Sequence, residues 1–325
     1  MSPSVLSRLA ALALLCSVVG DPAAAAAQPP ARIGFLGMDS KMQAEWLDAF
    51  RDGLRTLGYV EGRTIVIEYR WAEGRFDQLP RLASELVDLK PAVIVTAAPP
   101  AVNAVRHATT TIPIVMSVHD PVGMGFAASF AHPGGNITGV AFQDTELSTK
   151  RLDLLRLAVP RLARVAIVWN KVGGGVTAVQ AVEASARSLG LQTLALEVQG
   201  ADDFGTAIEK AKSWGAQGVA QLASPVITYN RRLFLQLLAT HRLPATCEMR
   251  RYVVEGCLMS YSANLASLFR RMSYYVDRVL KGANPAALPI EQPREFECVI
   301  NLRTAKALGL NIPKALLLQT DETIE

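Results

Sequence analysis

A short apolar run followed by an amphipathic stretch recurs along this chain, and the pattern restarts once at an offset of 132 residues. Arg32-Ile-Gly-Phe-Leu36 is the first such run. Trp46, Leu47, Phe50, Leu54 and Leu57 then recur at the three- and four-residue spacing of one helical face, ended by Gly58. Thr64 to Tyr69 is β-branched and aromatic and predicts a strand. Leu79, Leu82, Ala83, Leu86 and Val87 predict the next helix. Ala92-Val-Ile-Val-Thr96 is continuously apolar, as expected for a strand covered on both faces. A helix from about Ala101 to His107 and the run Pro113-Ile-Val-Met-Ser117 continue the series. Strands alternating with helices of this length build right-handed βαβ units on a parallel sheet.

Arg164-Val-Ala-Ile-Val-Trp169 lies 132 residues after the run at Arg32, and Leu189-Gly190 lies 132 after Leu57-Gly58. Leu243-Pro244 follows Ile112-Pro113 by 131. The expected architecture is therefore α/β, with two Rossmann-like lobes on parallel sheets. His132-Pro-Gly-Gly-Asn-Ile-Thr-Gly139 is dense in turn formers and suits a first crossover between lobes. Beyond it, Cys257 to Tyr261 is strand-like, Asn264 to Lys281 is one long helix, and Phe296 to Ile300 is a last strand before a short helix at Thr304 to Leu308. Such a tail returns to the first lobe and crosses back, which makes a three-strand hinge. The expected bounds are 32–139 plus 261–290 for lobe 1 and 140–260 plus 291–325 for lobe 2.

Arg8 is the only charged residue before Asp21, an apolar run spans Leu9 to Val19, and Ala23 to Ala27 follow. This predicts a secretory signal over residues 1–27, cleaved near Ala27/Gln28. The run is shorter than the ~20 residues a spanning helix needs. Leu14-Leu15 ahead of Cys16 is not the small-residue context of lipid attachment, so no anchor is expected there. No later apolar stretch is long and uninterrupted enough for a membrane helix. Half the residues are apolar and 19% charged, which supplies a large core. The net charge of +4 is mild and the arginines are scattered, so no nucleic-acid footprint is present. Once Cys16 is removed, Cys247, Cys257 and Cys298 remain. In an oxidising compartment Cys247 and Cys257 are spaced either to pair across a short loop or to stay as buried thiols, and spacing does not choose.

In open parallel sheets, ligands bind beyond the C-terminal ends of the strands. Two facing lobes bring two such edges to one cleft. The candidate ligand residues are therefore Met38, Asp39, Ser40, Thr96, Ala97, Ala98, Ser117 and Asp120 in the first lobe. In the second they are Trp169, Asn170, Ser224 and Glu248, and Tyr261 joins them from the start of the segment expected to return to the first lobe. Several of these loops lead into helices, whose free N–H groups suit a carboxylate. Ser40, Thr96, Ser117 and Ser224 add hydroxyls, Asp39 or Asp120 suits an ammonium, and Trp169 and Tyr261 suit an apolar or aromatic body. Ser and Asp in these places read equally as helix N-caps. The four histidines (His107, His119, His132, His241) fall in no metal-ligand spacing, and no G-x-S-x-G elbow is present. Gly173-Gly-Gly175 lacks the Gly-Lys-Ser/Thr of a phosphate loop and reads as a turn. No catalytic residue, metal or cofactor is expected.

Nine stretches resemble one family. They are Leu57-Gly-Tyr-Val-Glu-Gly-Arg63, Glu68-Tyr-Arg-Trp-Ala-Glu-Gly74, Ile112-Pro-Ile-Val115, Asp120-Pro-Val-Gly123, His132 to Gly139, Glu146-Leu-Ser-Thr-Lys-Arg-Leu152, His241-Arg-Leu-Pro244, Leu258-Met-Ser-Tyr261 and Ile300 to Gly309. Together they resemble ABC transporter substrate-binding proteins of the tryptophan- and tyrosine-binding type over essentially the whole mature chain. The resemblance implies a type I periplasmic binding protein fold. It also implies delivery of a small molecule to an ABC permease and its ATPase. A monomer is expected, and the helix-end amides with Trp169 and Tyr261 point to an amino acid or aromatic acid as the cargo. The alternative is an exported sensor that presents its ligand to a membrane receptor. Where the family often has Gly and Thr, this chain has Ala97-Ala98-Pro99-Pro100, and His119 precedes Asp120-Pro121. These departures fall on cleft loops.

Overall fold

The computed structural model describes residues 29–142, 144–172 and 175–325, the side chains of 144–146 excepted. The signal expected over residues 1–27, with Cys16, and Gly173 and Gly174 of the glycine turn lie outside the described residues.

The first half runs β1 (Ala31–Gly37), α1 (Ala44–Thr56), β2 (Ile65–Trp71), α2 (Leu79–Asp88), β3 (Val93–Ala97), α3 (Pro99–Ala108), β4 (Ile114–Val118) and β5 (Ile137–Ala141). Its five strands form one parallel sheet in the order β2-β1-β3-β4-β5. Then come α4 (Asp144–Ala158), β6 (Arg164–Trp169), α5 (Gly175–Ser188), β7 (Gln192–Glu197), α6 (Asp203–Trp214) and β8 (Gly218–Gln221). They are followed by α7 (Pro225–Tyr229), α8 (Arg231–Thr240), β9 (Ala245–Cys247), α9 (Arg250–Val254) and β10 (Met259–Ala263). The chain closes with α10 (Leu265–Leu280), β11 (Phe296–Asn301), α11 (Leu302–Leu308), α12 (Lys314–Leu317) and β12 (Glu322–Ile324).

The second sheet has the order β12-β11-β10-β9-β8-β6-β7. Its β7-β6-β8-β9-β10 portion reproduces the strand order of the first sheet, so the sequence repeat corresponds to a repeat in topology. The match is physical: β3, β4 and β5 are buried along their whole length, and so are β8 and β9. Helices cover both faces of each sheet, which is why these strands read as continuous apolar runs. One pairing departs from the parallel rule. β11 runs antiparallel to β10, because it enters the sheet on the return from the first lobe.

Three crossings join the lobes. The first follows β5 and leads into α4, which packs under the second sheet. It falls after Ala141 rather than at Gly139, because β5 pairs with β4 as far as Val118↔Ala141 and the turn formers mark the entry to β5 instead. The second runs from β10 into α10. Tyr261 lies inside β10 and so belongs to the second sheet, not to the first lobe as the sequence suggested. The third leaves Glu291, which is bonded to Gly139 and Ala141 beside β5, and reaches β11 in the second sheet.

Helix α10 is what fastens the returned segment to the first lobe. It buries Leu268, Phe269, Met272, Tyr275, Val276 and Val279 on one stripe against α1 and the sheet. Each such side chain contributes roughly 1.5–3 kcal/mol when taken out of water. Gly53 lets α1 and α10 approach, since a methyl group there would overlap Ser273 Oγ and lie 2.9 Å from the Arg270 carbonyl oxygen. Cys247 and Cys257 are joined by a disulfide, with Cα atoms 6.5 Å apart, while Cys298 is a buried free thiol. Among the described residues no helix is long and apolar enough to cross a membrane.

Gly139 sits in β5 at φ +140°, where a side chain is disfavoured, and an added Cβ would overlap the Met116 carbonyl oxygen of β4. Gly139→Ala is expected to lower stability by about 3 kcal/mol, within the range for strain at a special backbone position. Thermal unfolding checks this; a melting temperature unchanged within error overturns it.

Candidate functional site

The C-terminal edges of the two sheets face each other across a cavity of about 130 Å³. Met38 follows β1, Ala98 follows β3, and His119 follows β4 on one side. Ala223 and Ser224 follow β8, and Glu248 and Met249 follow β9, on the other. The cleft therefore lies where an open parallel sheet offers its ligand edge, here twice over. Most of the wall is apolar. Met38, Met42 and Trp46 come from β1–α1, Phe142 from the first crossing, and Leu265 and Phe269 from the start of α10. Trp46 and Phe269 lie with ring centroids 5.7 Å apart, and His119 stands 5.9 Å from Phe142.

Two charged side chains are set into this wall. Arg151, on the second turn of α4, is 2% exposed. Its Nε donates to the Tyr261 carbonyl at 2.7 Å, Nη1 to Ser148 Oγ at 3.1 Å, and Nη2 to the Glu248 carbonyl at 3.2 Å. Glu248 is buried too. Its Oε1 accepts from Thr228 Oγ1 at 2.6 Å and from Tyr252 OH at 3.1 Å. Burial pushes the Tyr252 hydroxyl well above its ordinary range, and the Glu248 carboxylate adds to this, so Tyr252 serves as a donor.

Two buried hydroxyls on the cavity lining have no hydrogen-bond partner among the described residues: Ser117 Oγ from the first lobe and Tyr229 OH from the second. Burial also raises the Tyr229 hydroxyl, with Asp39 and Glu73 acting in the same direction, so it stays protonated. Tyr229 reaches across the cleft: its ring packs edge-on against Phe76 of the first lobe at 5.0 Å. A second bridge runs from Arg251 Nη1 to the Met42 carbonyl at 3.2 Å.

Of the thirteen residues expected at the site, Met38, Ala97, Ala98, Ser117, Ser224 and Glu248 line the cavity. The other seven do not, and six of them have another task. Asp39 Oδ1 accepts from Met42 N at 2.7 Å in the turn that also holds Ser40. Thr96 Oγ1 donates to the Leu36 carbonyl at 2.9 Å and ties two strands together. Asp120 Oδ1 accepts from Gly123 N at 2.8 Å and closes a turn. Trp169 packs on the core of the second lobe. Asn170 donates to the Val198 carbonyl and accepts from Val172 N. The Tyr261 ring stacks on Phe296, and only its carbonyl reaches toward the cavity, through Arg151.

The expected helix-end amides are also largely missing. Pro99 and Pro100 occupy the first two positions of α3 and have no N–H to offer. Pro225 does the same for α7, where Ser224 already accepts from Ile227 N at 3.2 Å. Ala98 holds φ +72°, a region that suits glycine, at the lip of the cavity. Among the described residues, no three His, Cys, Asp or Glu side chains are grouped to hold a metal ion.

Sequence reasoning missed Trp46, Arg151, Tyr229 and Phe269. Phe269 had been placed on the core stripe of α10, and its position is right for that stripe. The first turn of the helix overhangs the cleft, however, so the same stripe changes from core to cavity along its length. Arg151 lay within the Glu146–Leu152 stretch already noted for its resemblance, and nothing in spacing alone marked it as buried.

The family model described as ABC transporter substrate binding protein matches residues 35–324. A tyrosine-binding protein from Clostridioides difficile (strain R20291) is 23% identical over 283 residues, covering 85% of this chain and 81% of that protein. Among solved structures, an ABC domain from Streptococcus pneumoniae in complex with L-Trp superposes with a TM-score of 0.85 at 23% identity, over 91% of this chain and all of that one. A ligand-free, open substrate-binding protein with adhesive properties from Clostridium difficile does so with a TM-score of 0.68 at 18% identity, over 91% and 99%. The structural matches carry the two-lobed periplasmic binding protein fold, and the family match over nearly the whole chain assigns it: the protein belongs to the ABC transporter substrate-binding protein family.

Proposed function

We propose that this protein is exported to the periplasm, captures a free amino acid with a large apolar or aromatic side chain between its lobes, and closes on it. The loaded form then delivers the solute to an ABC permease and its ATPase. The observation that carries this is the pair of unpartnered buried hydroxyls, Ser117 Oγ and Tyr229 OH, one on each lobe and both on one cavity. Buried polar groups in native proteins are almost always bonded, so each such exception calls for a partner. One small molecule bonding both would stabilise the closed form through its differential affinity for it.

Size and charge narrow the class. A volume of 130 Å³ holds on the order of ten water-sized positions, which suits one amino acid rather than a peptide or oligosaccharide. Arg151 and Glu248 put opposite charges on one stretch of wall, matching the carboxylate and ammonium of a zwitterion. The apolar remainder suits the side chain. The tyrosine-binding relative and the L-Trp complex support the same class. The alternating basic, apolar and small-residue segments of residues 1–27 support export.

Calorimetric titration tests the zwitterion. L-tryptophan or L-tyrosine is expected to bind, while tryptamine and indole-3-propionate, each lacking one charged group, bind at least tenfold more weakly, the loss of about 1.4 kcal/mol or more. Equal affinity for the three indoles rejects the assignment. Small-angle scattering tests closure: the radius of gyration should fall on saturation with the ligand that binds, and an unchanged value rejects a hinge mechanism. The hydroxyls have a signature of their own. Ser117→Ala and Tyr229→Phe should each weaken binding about threefold to tenfold, the loss of one hydrogen bond. Because each removes a buried unpartnered hydroxyl, neither should lower the melting temperature of the free protein. A drop in that temperature with affinity intact would assign them to the fold instead.

A further inference from the structure

We propose that the Cys247–Cys257 disulfide positions the ligand-contacting loop of the second lobe, so that it sets affinity as well as stability. The inference rests on the binding function proposed above for what it says of affinity, and on the structure alone for what it says of the loop.

β9 is only three residues long and pairs through Ala245 and Thr246 on one side and Thr246 and Cys247 on the other. So short a strand is held by few ladder bonds. Its last residue is Cys247, and the chain enters the cavity wall at the next two, Glu248 and Met249. Two residues later, Arg251 donates to the carbonyl of Met42 on the opposite lobe, and Met42 itself lines the cavity. Segment 248–256 thus carries part of the ligand wall and a bond between the lobes. The disulfide joins its two ends, from the last residue of β9 to the second residue before β10. Other contacts also hold this segment: Tyr252 and Val253 of α9 are buried, Asn301 Nδ2 donates to the Val253 carbonyl at 2.8 Å, Arg250 pairs with Glu322, Glu248 N donates to Gln221 Oε1 at 2.9 Å, and Thr304 Oγ1 donates to the Gly256 carbonyl at 3.1 Å. They hold single points, however, whereas the crosslink removes the freedom of both ends at once.

The consequence for binding follows from populations. If the uncrosslinked loop spends part of its time away from the cavity-forming path, apparent affinity falls by the fraction that remains competent. Both sulfurs are buried, so the native protein shields the bond from thiol exchange and the crosslink acts as a permanent staple rather than a switch.

The test compares oxidised wild type with the Cys247→Ala/Cys257→Ala double variant at a temperature where both are folded. Amide hydrogen exchange is followed over residues 248–256 in the ligand-free proteins, and the Kd for L-tryptophan and L-tyrosine is measured by calorimetry. The expected result is faster exchange confined to that loop and its Met42 contact, with affinity weakened tenfold or more. A purely structural crosslink would lower the melting temperature and leave loop exchange and Kd within twofold of wild type, which overturns the proposal. Should wild type bind neither amino acid while the variant's loop exchanges faster, the function proposed above fails and the positioning role stands. Should the double variant not fold, the same two measurements are made on Cys247→Ala/Cys257→Val, which also lacks the crosslink but refills part of the buried space.

Discussion

Arg151 stands where the two lobes are stitched together, and the site depends on it. The side chain leaves α4 just after the first crossing and binds the carbonyl of Tyr261 in β10, just before the second. It also holds the carbonyl of Glu248, at the start of the loop that walls the cavity. One guanidinium therefore fixes the spacing of three segments that are distant in sequence. Removing one partner of a buried charge commonly costs 3–5 kcal/mol, because the groups left behind lose their counterpart in a medium that does not solvate them. A charge in such a water-poor cleft also interacts more strongly with the groups that face it.

Topology supplies the rest. Each sheet exposes the C-terminal ends of its strands on one side, and three crossings aim those two sides at one another. Each lobe keeps its own buried core on either side of the three crossings. Between the lobes, Phe76 packs edge-on against Tyr229 and Arg251 bonds the Met42 carbonyl.

The polar design of the cavity differs from what its fold would suggest. Helices begin at the cleft, and their first amides would ordinarily cradle an anion. Here prolines occupy those positions in α3 and α7, so the amides are absent or already bonded. The charged and polar groups left on the wall are Arg151, Glu248 and hydroxyls from either lobe. Methionines and aromatic rings fill the remainder, and Met38, Met42 and Met249 can adapt to the outline of an apolar side chain.

The amino-acid sequence by itself determined the local elements and their repetition. Apolar runs covered on both faces and helical stripes ended by glycine depend on neighbours within a few residues, so periodicity reports them directly. It also determined which edge of each lobe is the ligand edge, because that follows from the strand–helix order alone. Which side chains share the cavity was decided only by the tertiary structure. Asp39, Thr96, Asp120 and Asn170 sit on the right loops, yet each satisfies a nearby backbone group, a choice set by rotamer and turn geometry rather than by residue type. Trp169 turned to the core and Phe269 to the cleft, although both lie on regular apolar patterns. The pairing of Cys247 with Cys257 and the placing of Arg151 likewise required three dimensions, because they join residues whose separation in sequence carries no information about their distance in space.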